Sequence, residues 1–193
     1  MQTVSHLLTT WAGGTKLAQK NQSLSVPWLV LGSVLPDIPF AVLTVGYEIY
    51  FRWFAPLPVN NQSIMEYLHF NLFFNDPLWI VSHNFLHSVV VNGVFIFLAL
   101  TILRRSRWGR VLLWIAVGAM VHTLIDIFTH HSDGPLFLFP INWQYRFASP
   151  ISYWETAYYG RQFMMFEYAV DLLAILYLVY RRYIRRQVAD GNS

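Results

Sequence analysis

Apolar residues fall in long runs, broken by a few clustered charges. Three runs approach the thickness of a bilayer: Phe85–Leu103, Val111–Phe128 and Phe163–Tyr180, each bounded by polar or basic residues as a spanning helix is. A fourth, Leu24–Tyr50, is long enough but carries Pro27, Pro36 and Pro39 around Asp37, which predicts a kinked or broken helix covered by neighbouring protein. A fifth, Thr3–Lys20, is shorter and contains Gly13 and Gly14, so it reads as a bundle-shielded span or an interfacial helix. Between the runs, IMEYLHFNLFF (64–74) is amphipathic, Asp76-Pro77 reads as a helix start, and 134–143 is a turn bounded by Gly and Pro. The expected fold is an all-α, polytopic transmembrane helical bundle of four or five spans with interfacial helices. It forms one membrane-embedded domain over residues 1–186, followed by a disordered cytoplasmic tail at 187–193.

Composition supports a membrane setting: 55% of residues are apolar and the mean hydropathy is +0.39. The absence of cysteine excludes disulfides, thiolate ligands and cysteine nucleophiles. A net charge of +3 does not point to nucleic acid, because the Arg residues flank apolar runs instead of forming a basic face. They set topology. The clusters Arg104, Arg105, Arg107, Arg110 and Arg181, Arg182, Arg185, Arg186, joined by Lys16 and Lys20, mark the cytoplasmic side, and 52–82 and 129–162 then lie outside. No basic, apolar and small-residue segments follow one another at the N-terminus, so no removable signal peptide is expected.

Against this background the ionisable residues inside the runs stand out. Side chains four apart share a helical face, so His83 with His87, His122 with Asp126 and His130, and Glu167 with Asp171 make three rows. Counted along helices, His87 lies roughly 25 Å above Arg104, Asp126 about 24 Å and His122 about 18 Å above Arg110, and Glu167 roughly 21 Å above Arg181. Asp37 falls near the same layer, as does His6, about 21 Å above Lys20. That common depth, in the outer half of the membrane, favours five spans with the N-terminus outside. Ionisable groups there cost several kcal/mol each unless paired or ion-bound. Imidazoles and carboxylates on facing helices suit a divalent metal, zinc first, with manganese or iron as alternatives, and the number of candidates leaves room for one or two ions. Such an ion makes a hydroxide nucleophile available without Ser or Cys.

Plainer roles compete at each position. A lone intramembrane His more often packs and hydrogen-bonds than ligates, His69 suits an interface, and Asp133 suits a turn. Glu167 and Asp171 divide between the ion's surroundings and charge pairing with another helix.

The segments SHLLTTWAGG (5–14), LGSVLPDI (31–38), HNFLHS (83–88), HTLIDIFTH (122–130) and PLFLFP (135–140) resemble, in order and rough spacing, those of the bacterial YdjM-like inner-membrane proteins, described as membrane-bound metal-dependent hydrolases. The resemblance covers residues 1–140 and implies functional positions at His6, Asp37, His87, Ser88, His122, Asp126, Thr129 and Pro140. Two departures matter. Pro39 stands where many members have a second Asp, and HNFLHS has no Arg between its histidines and one residue fewer, which weakens the match at His83 and removes a phosphate-binding Arg.

The expected function is metal-dependent hydrolysis of a phosphoester or ester, in a lipid or other amphiphile that enters from the membrane, near the outer leaflet. His6, Asp37, His87, His122 and Asp126 hold the metal, His83 and His130 are additional or outer ligands, and Asp37 or Glu167 is the catalytic carboxylate. Two other classes use the same residues: a bis-histidine haem bundle with His87 and His122 as axial ligands, and a metal or proton transporter. Membrane lipid is the expected partner, and a bacterial inner membrane with the C-terminus cytoplasmic the expected location.

Overall fold

The computed structural model describes residues 1–190, which form helices and turns with no strand among them. Nine α-helices follow in order: α1 (Thr3–Leu17), α2 (Val26–Gly32), α3 (Asp37–Trp53), α4 (Ile64–Tyr67), α5 (Phe73–Asn75), α6 (Pro77–Asn84), α7 (Val89–Leu100), α8 (Arg107–Thr129) and α9 (Gly160–Asp190). A π turn at Leu68–Leu72 joins α4 to α5, and a 3-10 turn at Thr156–Tyr158 precedes α9. Helix α8 and the Gly160–Ile184 part of α9 are each long and apolar enough to cross a membrane. The pairs α2/α3 and α6/α7 pass the same test only together, bent by 46° and 49°, so the bundle has two candidate spans, or up to four if each bent pair counts as one. At 15 residues α1 is shorter than a bilayer requires. Of the tail expected at 187–193, α9 runs through Asp190 and residues 191–193 lie outside the described part.

The first break follows from proline. Pro36 has no N–H to offer the Gly32 carbonyl, and the Asp37 N–H goes to Val34 at 3.2 Å instead of Ser33, so the Ser33 oxygen is left out of the helix ladder. The second break interrupts what the apolar run Phe85–Leu103 predicts as one continuous helix, and side chains cause it. Ser88 caps α7 by accepting from the Val91 N–H at 3.1 Å, and its hydroxyl donates to the Phe139 carbonyl. Asn92 donates to the Leu86 carbonyl at 2.7 Å, and Asn84 accepts from the Leu136 N–H at 2.6 Å. The 134–143 turn is thereby fastened over the break, with Leu136 and Phe139 buried against Val91. Asp76 caps α6 through the N–H groups of Leu78 and Trp79, as Asp76-Pro77 predicts.

Helices α2 and α8 cross at glycine. A Cβ on Gly32 would strike the Ile115 carbonyl, and one on Gly118 the Leu29 carbonyl, so both positions must stay bare for the backbones to touch. Helix α1 packs on α2 and α9, α3 packs on α6 and α4, and α7 lies along α8. Both breaks therefore meet α8 at His122, Ser33 at one ring nitrogen and His87 at the other.

Candidate metal centre

Four atoms converge where the broken helices meet α8. Asp37 opens α3, His87 sits in the second break, and His122 and Asp126 lie one turn apart on α8; one ligand atom from each falls within 4.8 Å of all the others. The Nε2 atoms of His87 and His122 are 2.9 Å apart. Asp37 Oδ1 lies 3.3 Å from the first and 3.4 Å from the second, and Asp126 Oδ2 lies 3.6 Å and 3.0 Å from them. A tetrahedral ion bound at about 2.0–2.1 Å separates its ligands by roughly 3.4 Å. The five edges run from 2.9 to 3.6 Å around that figure, the His87–His122 and His122–Asp126 edges being the short ones.

The other nitrogen of each ring fixes what these atoms are. His87 Nδ1 donates to the His83 carbonyl at 2.6 Å and His122 Nδ1 to the Ser33 carbonyl at 2.7 Å; a carbonyl only accepts, so both Nδ1 atoms carry the proton. When both rings are neutral, their Nε2 atoms present lone pairs and all four converging atoms are acceptors. The group is complementary to a cation. The carbonyls that orient the rings belong to the two helix breaks, and carbonyl-anchored imidazole is the usual arrangement around a ligated metal.

Around the four lie the remaining expected residues. His6 is fully buried, stacks on His122 at 3.7 Å between ring centroids, and places Nε2 2.8 Å from Asp126 Oδ1. His130 caps the end of α8, with Nε2 3.7 Å from the same oxygen and Nδ1 3.0 Å from Asp133. The Met1 amino group donates to Asp126 Oδ1 at 2.9 Å and to Thr129 Oγ1 at 2.8 Å. His83 is outside the four-atom group: its ring stacks on His87 at 4.5 Å, and neither nitrogen has a partner. Glu167 accepts from the Gln2 N–H at 2.6 Å and Asp171 from the Ser5 hydroxyl at 2.7 Å. Those two carboxylates hold α1 against α9.

Some participants leave no mark in the side-chain pattern. The Ser33 carbonyl is backbone, and the Thr3 hydroxyl that donates to Asp37 Oδ2 comes from another helix. Asp133, expected in a turn, binds His130 and accepts from Trp154 Nε1 at 3.0 Å. Burial opposes its charge, but His130, His69 and Trp154 hold its carboxyl below the usual range. Burial and then the carboxylates of Asp133 and Asp126 push the Tyr153 phenol up, so it stays a hydrogen-bond donor at neutral pH.

Broken helices that lend carbonyls to buried histidines, around a His/Asp group within metal-binding distance, define a helical bundle with candidate membrane spans and a candidate metal centre. Residues 1–188 match the family described as YdjM inner membrane protein, and the chain belongs to that family. Comparison with curated proteins and with solved structures gave no match.

Proposed function

We propose that the protein is a membrane-embedded, metal-dependent hydrolase of a phosphoester or carboxyl ester, with zinc the best-suited ion. The observation that carries this reading is the convergence of two carbonyl-anchored imidazoles and two carboxylates, one ligand atom from each lying within 4.8 Å of all the others. Asp37, Asp126, His87 and His122 would hold the ion. When bound it supplies Lewis acidity toward water and toward an ester oxygen. The chain's own residues do the rest. Asp37 is the one member of the group that is not buried, and it lines a cavity, so its carboxylate is the group positioned to take a proton from an incoming water. The Thr3 hydroxyl fixes Oδ2 while Oδ1 faces the histidines. His6 braces Asp126 from behind. Glu167, tied to the Gln2 backbone, serves the position of α1.

A haem reading loses support, because a macrocycle has no room between Nε2 atoms 2.9 Å apart with two carboxylates alongside. The topology that goes with the proposal counts each bent pair as one span and adds α1, shielded by α2 and α9, as a fifth. The Arg clusters put the C-terminus in the cytoplasm.

Metal analysis of protein purified in detergent is the test. His122→Ala and Asp126→Ala should each lose most of the bound metal with helical content retained, and a screen of phosphoester and carboxyl-ester substrates should find turnover that the variants lack. Unchanged metal content in both variants ends the proposal, and ion flux in proteoliposomes without ester turnover moves the reading to transport.

A further inference from the structure

We infer that the cavity beside the metal centre is a lipid site that opens sideways between α1 and α3, and that its occupant is a membrane lipid carrying at most one negative charge at its ester. The inference rests on the hydrolase reading and names its substrate class.

The cavity encloses about 850 Å³, within the usual range for ligand sites, and reaches Asp37 and Asp126. One wall is a single face of α3: Asp37, Phe40, Ala41, Thr44 and Val45 recur at helical spacing, with the carboxylate at the metal end and, further along, apolar side chains and a Thr44 hydroxyl spent on the Phe40 carbonyl. The opposite wall is the first turn of α1. Helix α1 packs on α2 and α9 and α3 on α6 and α4, and the two meet where the Thr3 hydroxyl donates to Asp37 at the metal end; beyond that bond Val4 and Val45 line the flank between them. Its lips are apolar. Val4 and Val45 are 62% and 58% exposed, and Phe70 of the π turn, which also lines the cavity, is 59% exposed. Exposed apolar lips around a deep polar floor suit a molecule with a tail in the bilayer and an ester inside.

The floor carries an independent sign of a ligand. His83 lines the cavity, is 8% exposed, and has no partner for either ring nitrogen. Phe40 and Phe73 pack against its ring at 5.2 Å and 4.8 Å, and His87 stacks on it, so the imidazole is fixed with a donor and an acceptor unspent. Buried polar groups in folded proteins are as a rule hydrogen-bonded. An ester oxygen accepting from the His83 N–H satisfies the donor and sets the ester beside Asp37.

Charge narrows the class. The lining contains Asp37, Glu66, Asp126 and Asp133 and no Lys or Arg; its fixed cation is the Met1 ammonium, paired with Asp126. Arg146 stays behind Phe73 and Phe74, donating to the Gly134 carbonyl. With the ion balancing Asp37 and Asp126, and the Met1 ammonium offsetting only one of Glu66 and Asp133, a dianionic phosphomonoester would meet a remaining excess of negative charge. A phosphodiester with a cationic head, or a neutral acyl ester, would not.

The test uses full-length, zinc-loaded protein in detergent, with dioleoyl phosphatidylcholine and dioleoyl phosphatidic acid as probes, and native mass spectrometry to count retained lipid. Wild type should retain one phosphatidylcholine and hold phosphatidic acid at least tenfold more weakly. Val45→Trp, which fills the mouth, and His83→Phe, which keeps the ring but not its hydrogen bonds, should each retain at least tenfold less phosphatidylcholine with zinc content unchanged. Leu173→Trp, on the exposed face of α9, should behave as wild type. Equal retention of both lipids by wild type overturns the inference, whatever the variants do. Undiminished retention in zinc-replete Val45→Trp and His83→Phe overturns it too. Selective retention with no turnover of any ester supports the lipid site and sinks the hydrolase reading; turnover of short soluble esters with no retained lipid does the reverse.

Discussion

Replacing Gly118 with alanine should cost the protein its metal without altering a ligand. A Cβ there would strike the Leu29 carbonyl and stand 2.9 Å from the Ser33 nitrogen and 3.0 Å from the Gly32 carbonyl carbon. All three are backbone, so no side chain can swing aside and α2 must move away from α8 by about 1 Å to restore ordinary contact. The Ser33 carbonyl moves with α2. Its 2.7 Å bond from His122 Nδ1 then stretches to beyond about 3.6 Å, where it no longer counts as a hydrogen bond. Losing a partner that orients a metal-bound histidine weakens metal binding by about 10–100-fold. The overpacking adds a stability cost of about 1–3 kcal/mol. Chelator competition in detergent reads the affinity, and a thermal melt of the metal-free protein reads the packing. Gly93→Ala is the matched control, since a Cβ there meets nothing within 4 Å. If Gly118→Ala binds zinc as tightly as wild type while melting lower, the Ser33 carbonyl does not orient His122 and the account of the site is wrong.

Ser88→Ala should destabilise the protein by about 1–3 kcal/mol in urea titration, because it removes the cap of α7 and strands the buried Phe139 carbonyl; a smaller effect would mean the second break is not held by this hydroxyl. Glu167→Gln should keep its metal and loosen the first turn of α1, read as faster hydrogen exchange at Gln2 and Thr3, whereas Asp37→Asn should lose metal. The reverse pattern would move Glu167 into the centre. Asp133 has a folded pKa below its ordinary 3.8, so the stability it contributes is full above that pH and is lost as pH falls below 3.8 through the folded value. Asp133→Asn should therefore be less stable than wild type at pH 7 and flatter in acid titration below pH 4; parallel acid limbs would rule the pairing out.

The four converging residues were legible because charge inside an apolar run is costly, and His87, His122, Asp126 and Asp37 each interrupt one. The first helix break was legible for a similarly local reason, the prolines at 36 and 39. The second was not. No Pro or Gly lies between Asn84 and Ser88, and the break depends on bonds to Leu136, Phe139 and Thr123, distant in sequence and visible only once the chain has folded. Spacing alone put His83 and His87 on one helical face; the break instead lays one ring on the other and leaves His83 outside the four-atom group. Glu167 and Asp171 were recognisable as polar groups needing a partner, but that the partners are Gln2 and Ser5 follows from how α1 docks, which no periodicity encodes.

The two bends also bear on anyone hoping to transplant this centre into a designed bundle. Grafting two histidines and two aspartates onto straight helices would copy the chemistry but omit the carbonyls of Ser33 and His83, which an unbroken helix spends on itself. The portable unit is the pair of interrupted helices together with the glycine crossing that brings one of them to α8.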